Sequence, residues 1–130
     1  MKMVPSELGK RGERFAAWFY RLRGYSIVAR NARHDEGEID LVARRFSRLV
    51  IVEVKARQSL SAGEGFESVD WRKRERLVRL GDRYAALYPT AGLRYDILSL
   101  FWNGRRFVVT HFADAFRPVA DPRRPWIWKA

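Results

Sequence analysis

The chain has no cysteine and two histidines. The first absence removes disulfides, thiolate nucleophiles and cysteine-based zinc sites together; the second argues against a histidine-rich metal centre. Long apolar runs are missing as well. None approaches the roughly 20 residues that a membrane-spanning helix requires, and the opening MKMVPSELGKRGER lacks the continuous apolar segment of a secretory signal. Acidic residues are scarce beside basic ones, 15 against 26, for a net charge of +11 and a pI near 10.8. The expectation is a cytoplasmic protein with no membrane partner, whose surface attracts polyanions, DNA or RNA first.

What is present suits a folded core. The 130 residues are 47% hydrophobic, with five tryptophans and eight phenylalanines, enough for one domain over 1–130 without staples. Its core is expected over about 6–117, followed by a proline-broken tail, 118–130. Pro5-Ser6 opens a helix with Ser6 as N-cap, carried on by Leu8, Phe15, Ala16, Phe19 and Leu22 and closed by Gly24. A short strand, Tyr25 to Arg30, then leads through the polar turn NARHDEG into two further strands, EIDLVAR and LVIVEVKAR. RQSLSAGEGFES reads as a loop, and a second helix spans about Val69 to Tyr88, stopped by Pro89. Leu77, Leu80, Tyr84 and Leu87 form its apolar face, while Arg72, Arg76, Arg79 and Arg83 form a basic stripe. LRYDILSLFW and RRFVVTHF are strands joined at Asn103-Gly104. The order predicts an α/β fold with a mixed sheet, its parallel pair bridged by the second helix.

Two of these strands carry charges in apolar surroundings. Alternation puts Ile39, Leu41 and Ala43 on one face of the second strand and Glu38, Asp40 and Val42 on the other. In the third strand Val50, Val52 and Val54 share one face, and Leu49, Ile51, Glu53 and Lys55 share the opposite one. Pairing Arg44 with Leu49 makes the apolar faces coincide and sets Asp40 opposite Glu53. Carboxylates facing each other at about 4.5–5.5 Å between Cβ atoms repel. Protonation, an ion pair or a divalent cation relieves that, and Lys55 stands about 7 Å along the strand from Glu53. Two hard oxygen ligands with the Val54 carbonyl suit Mg²⁺. An ion-paired hairpin, with Asp40 and Glu53 satisfied by neighbouring Arg or Lys, is the other reading of the same residues.

The Asp40…Glu53-Val54-Lys55 pattern resembles the PD-(D/E)xK nuclease signature, without the proline before the aspartate. Gly12-Glu13, GEIDLVA, VEVKAR and VDWRKRERL together resemble the YraN-like family of predicted endonucleases, similar in fold to archaeal Holliday-junction resolvases. The likeness covers roughly 9–117. It implies a restriction-endonuclease-like α-β-β-β-α-β core and a Mg²⁺- or Mn²⁺-dependent nuclease acting on DNA, including branched DNA. Asp40 and Glu53 would hold the metal, Lys55 would position the attacking water, and Glu13 would add a metal contact. A non-catalytic nucleic-acid-binding module keeping the same fold is the alternative. Lys73, in the first turn of the second helix, is expected near Lys55 and a phosphate; the arginine stripe is expected to track a nucleic-acid backbone. Duplex cleavage would favour a homodimer, since one site cuts one strand. Asp96 is expected in an ion pair or structural hydrogen bond, and the two histidines lack partners at metal-ligand spacing.

Overall fold

Proline costs a helix nothing in its first turn, where N–H groups go unpaired, and Pro5 begins α1 (Pro5–Arg21) of the computed structural model. The structure describes residues 2–59, 71–89, 91–118 and 126–128, with Pro118 and 126–128 as backbone only. The N-cap is Val4, without a side-chain hydrogen bond, so Ser6 lies inside the helix rather than capping it. Leu8, Ala16 and Phe19 are buried as the helical spacing predicts, but Leu22 falls past the last turn and is 62% exposed. Gly24, at φ 87°, turns the chain out of the helix in the left-handed conformation expected of it.

Six strands follow: β1 (Ser26–His34), β2 (Gly37–Arg45), β3 (Arg48–Arg57), β4 (Gly92–Trp102), β5 (Phe107–Pro118) and β6 (Trp126–Trp128). They lie side by side in chain order in one sheet. The β3–β4 pair is parallel, with Glu53 beside Ile97 and Lys55 beside Ser99. The other neighbours are antiparallel. α2 (Trp71–Ala85) separates β3 from β4 in the chain and packs on the sheet. This is the expected α-β-β-β-α-β core, continued by β5 and β6.

The two faces of β3 are both covered, so its run of five buried residues is apolar on each side until Glu53. One face packs Leu41, Ala43, Val50, Val52, Leu98 and Leu100 against α1. The opposite face packs Val42, Leu49, Ile51 and Ile97 against Leu77, Leu80 and Tyr84 of α2. The predicted register is present: Arg44 pairs with Leu49 and Val42 with Ile51. Leu87 lies beyond the end of α2 and is 67% exposed, so it does not extend the apolar face.

Other departures have local causes. The segment Asn31–His34, expected in a turn, belongs to β1 and pairs with the start of β2, leaving Asp35 and Glu36 as the turn. An edge strand tolerates these polar side chains because they stay in water. Ile39 packs with Val42 and α2 rather than with Leu41 and Ala43. The β2–β3 ladder stops at Leu41–Val52, and Asn31, in the facing stretch of β1, takes φ 47°, so the regular pleat is broken around Asp40. The tail contributes β6, antiparallel to β5 through Phe116–Trp128. Val69, Asp70 and most of the loop before them lie outside the described residues.

A buried charge cluster ties three elements together. Asp96 on β4 is 1% exposed. It accepts hydrogen bonds from Tyr20 Oη of α1 at 2.7 Å, from Arg94 Nε at 2.8 Å and Nη2 at 2.7 Å, and from the Asp114 N–H at 2.9 Å. His111 Nε2 stands 2.8 Å from the same carboxylate. Burial alone would raise the Asp96 pKa, but these hydrogen bonds outweigh it and hold the carboxyl at about 2. The expected structural role of Asp96 is the one observed.

Candidate active site

Glu53 and Asp96 are the buried acidic residues of the core among the described residues. Unlike Asp96, Glu53 faces a second carboxyl. β3 carries it into the site because its apolar neighbours Val52 and Val54 are held on the α1 side of the sheet. Asp40 arrives from β2 where the ladder with β3 has just ended. Its Oδ2 accepts the Val54 N–H at 2.9 Å, a backbone donor that a continuous ladder would have used elsewhere. The Asp40 and Glu53 carboxyls line the same cavity, close enough for the charge of one to act on the other.

Two amines complete the cluster. Lys55 Nζ lies 3.7 Å from Glu53 Oε1, and Lys73 Nζ, from the first turn of α2, forms a shorter ion pair with the same oxygen. The parallel β3–α2–β4 connection brings the start of the helix over the carboxyl end of β3, as the sequence order implies. Burial and the charge of Glu53 push the Asp40 carboxyl up to about 7, against the pull of the Val54 N–H and Lys73. Burial and Lys73 lower the pKa of Lys55. Burial also works against the Lys73 ammonium, yet Glu53 more than offsets it and its pKa is raised. Of the two amines, Lys55 holds its proton more loosely.

Asp40 stands between two cavities. One of about 340 Å³ is lined by Gly37, Glu38, Asp40, Glu53, Lys73, Arg76 and Leu77 on the α2 side. The other, about 290 Å³, is lined by Pro5, Leu8, Gly9, Glu13, Asp40, Val54, Lys55 and Ala56 on the α1 side. Glu13 is therefore in the same cavity as Asp40 and Lys55. Burial first, then Glu38, raises its pKa, while Arg30 and Lys10 oppose the rise. Glu38 lines the first cavity and was not singled out from sequence. The strand alternation that puts it on the face of Asp40 was the available signal. Among the described residues, no group of three or more carboxylate or histidine side chains is assembled closely enough to hold a metal ion by itself. The donor set at the centre is two carboxyls, with Glu13 and Glu38 at its margins.

The arginine stripe is only partly gathered to the site. Arg76 lines the cavity with Asp40 and Glu53. Arg72 stands over the Trp71 ring at 5.5 Å. Arg79 pairs with Glu75 at 3.1 Å, and Arg83 pairs with Glu36 at 3.1 Å. All four are exposed along one side of α2. His34 bonds the Tyr84 hydroxyl at 2.7 Å, and His111 belongs to the Asp96 cluster, so both histidines are structural. Among the described residues no helix is long and apolar enough to cross a membrane.

Mixed sheet, flanking helices and a carboxyl–amine cluster at the end of the parallel pair define a mixed α/β protein with a restriction-endonuclease-like core. The family follows from comparison. A model described as "Uncharacterised protein family UPF0102" matches residues 12–100, and the chain belongs to that family. It is 36% identical to a UPF0102 protein of Chlorobium phaeobacteroides, over 89% of this chain and 98% of that one. It is 38% identical to a UPF0102 protein of Bacteroides thetaiotaomicron, over 87% and 94% of the two chains. A UPF0102 protein of Nocardia farcinica is 40% identical, over 84% and 88%.

Proposed function

We propose that this protein is a metal-dependent nuclease of the PD-(D/E)xK type that hydrolyses phosphodiester bonds of DNA, branched DNA included. The observation that carries the proposal is that Asp40 and Glu53 line one cavity, with Lys55 beside Glu53. Two carboxyls placed together in partial burial cost stability, and the raised Asp40 pKa is the mark of a site kept for something positively charged. The donors fit a hard cation: Asp40 and Glu53 would hold Mg²⁺ or Mn²⁺, with Glu13 and the Val54 carbonyl at the α1-side cavity. When bound, such an ion supplies Lewis-acid neutralisation of phosphate charge and a more acidic water.

The chain's own residues do the rest. Lys55, with its loosened proton, orients the attacking water and balances charge on the scissile phosphate. Lys73 holds Glu53 in place and presents a second cation to the substrate. Arg76 and Arg72 bind phosphates along α2, with Arg79 and Arg83 further from the site. The net charge of +11 brings the polyanion in.

The second reading, a nucleic-acid-binding module without catalysis, is favoured by one fact: Lys73 already neutralises Glu53. A substrate panel separates the two. Linear, single-stranded and branched DNA, and RNA, are incubated with the protein and Mg²⁺ or Mn²⁺, beside the Asp40→Asn and Lys55→Ala variants. The nuclease reading expects cutting by the wild type alone, with Lys55→Ala slower by about 10²–10³-fold. Retention of nucleic acid without cutting by any preparation establishes the binding module instead.

A further inference from the structure

One surface feature lies outside the cluster just described. Trp18, on the outer side of α1, is 54% exposed. Its ring begins a chain of aromatic contacts: Trp18 to Phe15 at 5.6 Å between centroids, Phe15 to Phe107 at 5.3 Å, and Phe107 to Trp102 at 5.2 Å. The chain crosses from α1 to the β4–β5 hairpin. With Arg11 and Arg14, the first three residues line an open cleft of about 410 Å³. Arg11 shares its charge with Glu7 at 2.9 Å in an exposed pair, worth little in water. Arg14 is exposed and has no ion-pair partner among the described residues.

The strip shares α1 with the candidate active site but lies on a different side of the helix. Glu13 faces the cavity of Asp40 and Lys55, and Trp18 follows five residues later on the same helix, about 7.5 Å along its axis. Trp102 shares a small cavity with Gln58, which directly follows the end of β3. Trp18 is the exposed member; Phe15, Phe107 and Trp102 are half-buried, the two phenylalanines packed against the core beneath. Unpaired nucleotides present both a π-face and a phosphate, and so match an exposed ring beside arginines on a chain of net charge +11.

We propose that the strip from Trp18 through Phe15 and Phe107 to Trp102 is a stacking platform for unpaired nucleotides, with Arg14 and Arg11 on their phosphates. It selects DNA that carries a single-stranded segment. The proposal rests on the nuclease reading for the cutting of such DNA, but not for the binding itself.

The experiment measures binding of fluorescein-labelled oligodeoxythymidylate, and of a duplex of equal length, by anisotropy in EDTA at several salt concentrations. The full-length wild type is compared with Trp18→Ala, Trp18→Phe and Arg14→Ala, all changes at exposed positions. The expected result is a loss of about tenfold in single-strand affinity for Trp18→Ala, with duplex affinity unchanged and recovery in Trp18→Phe. Arg14→Ala should reduce the salt dependence on single strands by about one phosphate contact. Equal single-strand affinity for wild type and Trp18→Ala overturns the platform, as does equal loss on duplex and single strand. Failure of the wild type to bind either form overturns it as well and turns the surface over to a protein partner. Cleavage with Mg²⁺ is scored separately against Asp40→Asn. Cutting that ignores Trp18 while binding also ignores it rejects the platform alone; Trp18-dependent binding without cutting rejects the nuclease reading alone.

Discussion

Asp40 is held in a state that the folded chain alone does not favour. Burial and Glu53 move its carboxyl from the ordinary 3.8 to about 7. A raised carboxyl pKa stabilises the fold fully below the unfolded value, near pH 4, and that contribution is lost as pH rises through 7. Removing the charge while keeping an acceptor for the Val54 N–H should therefore stabilise the metal-free protein. Asp40→Asn is expected to gain about 2 kcal/mol at pH 8 in EDTA, with the gain vanishing toward pH 4. Urea unfolding at several pH values reads this directly. With Mn²⁺ the order should reverse, because the cation stabilises only the protein that binds it. A variant less stable than the wild type at pH 8 in EDTA would make Asp40 a structural anion and remove the argument for a cation there.

At the scale of elements, α1 is set on the sheet by a glycine. A Cβ on Gly12 would stand 2.9 Å from the Cβ of Ala56 on β3, and neither atom sits on a flexible side chain. Gly12→Ala must lift the helix, and Glu13 with it, away from Lys55. The expected cost is about 1–3 kcal/mol, read by urea unfolding, and the proposed nuclease activity should fall further than stability alone explains. A Gly12→Ala protein as stable and active as the wild type would show that the contact is slack. The elements themselves were largely legible in the sequence. Both helices, the β2–β3 register and the convergence of Asp40, Glu53 and Lys55 follow from alternation and from apolar faces that must coincide. What periodicity could not show was the end of the β2–β3 ladder at Leu41, which turns Ile39 to the α2 side and frees the Val54 N–H for Asp40. Nor could it show that Arg83 is paired with Glu36, which comes from a turn distant in sequence.

The molecule as a whole is held together across its layers by Asp96. Its carboxylate joins α1 through Tyr20 to β4 through Arg94 and to β5 through His111 and the Asp114 N–H. Such a network is specific because each member satisfies another, and removing one partner leaves a buried charge exposed to its own desolvation cost. The sign of its pH dependence is opposite to that of Asp40. The Asp96 pKa is depressed from 3.8 to about 2, so its stabilisation is present above pH 4 and is lost as pH falls toward 2. The shift corresponds to about 2 kcal/mol. Wild-type unfolding free energy should fall by that amount between pH 4 and 2 beyond what the remaining carboxyls contribute. Asp96→Asn should flatten this component while lowering stability at neutral pH by about 3–5 kcal/mol, because Arg94 loses its anion. Should that variant fail to fold, Tyr20→Phe removes only the hydroxyl, which bonds Asp96 and stands 3.1 Å from His111 Nε2, for about 1–2 kcal/mol, and should move the acid transition to higher pH. An acid transition unchanged in Tyr20→Phe would mean that the hydroxyl contributes nothing to the low Asp96 pKa, and the link from α1 to the sheet would then rest on apolar packing alone.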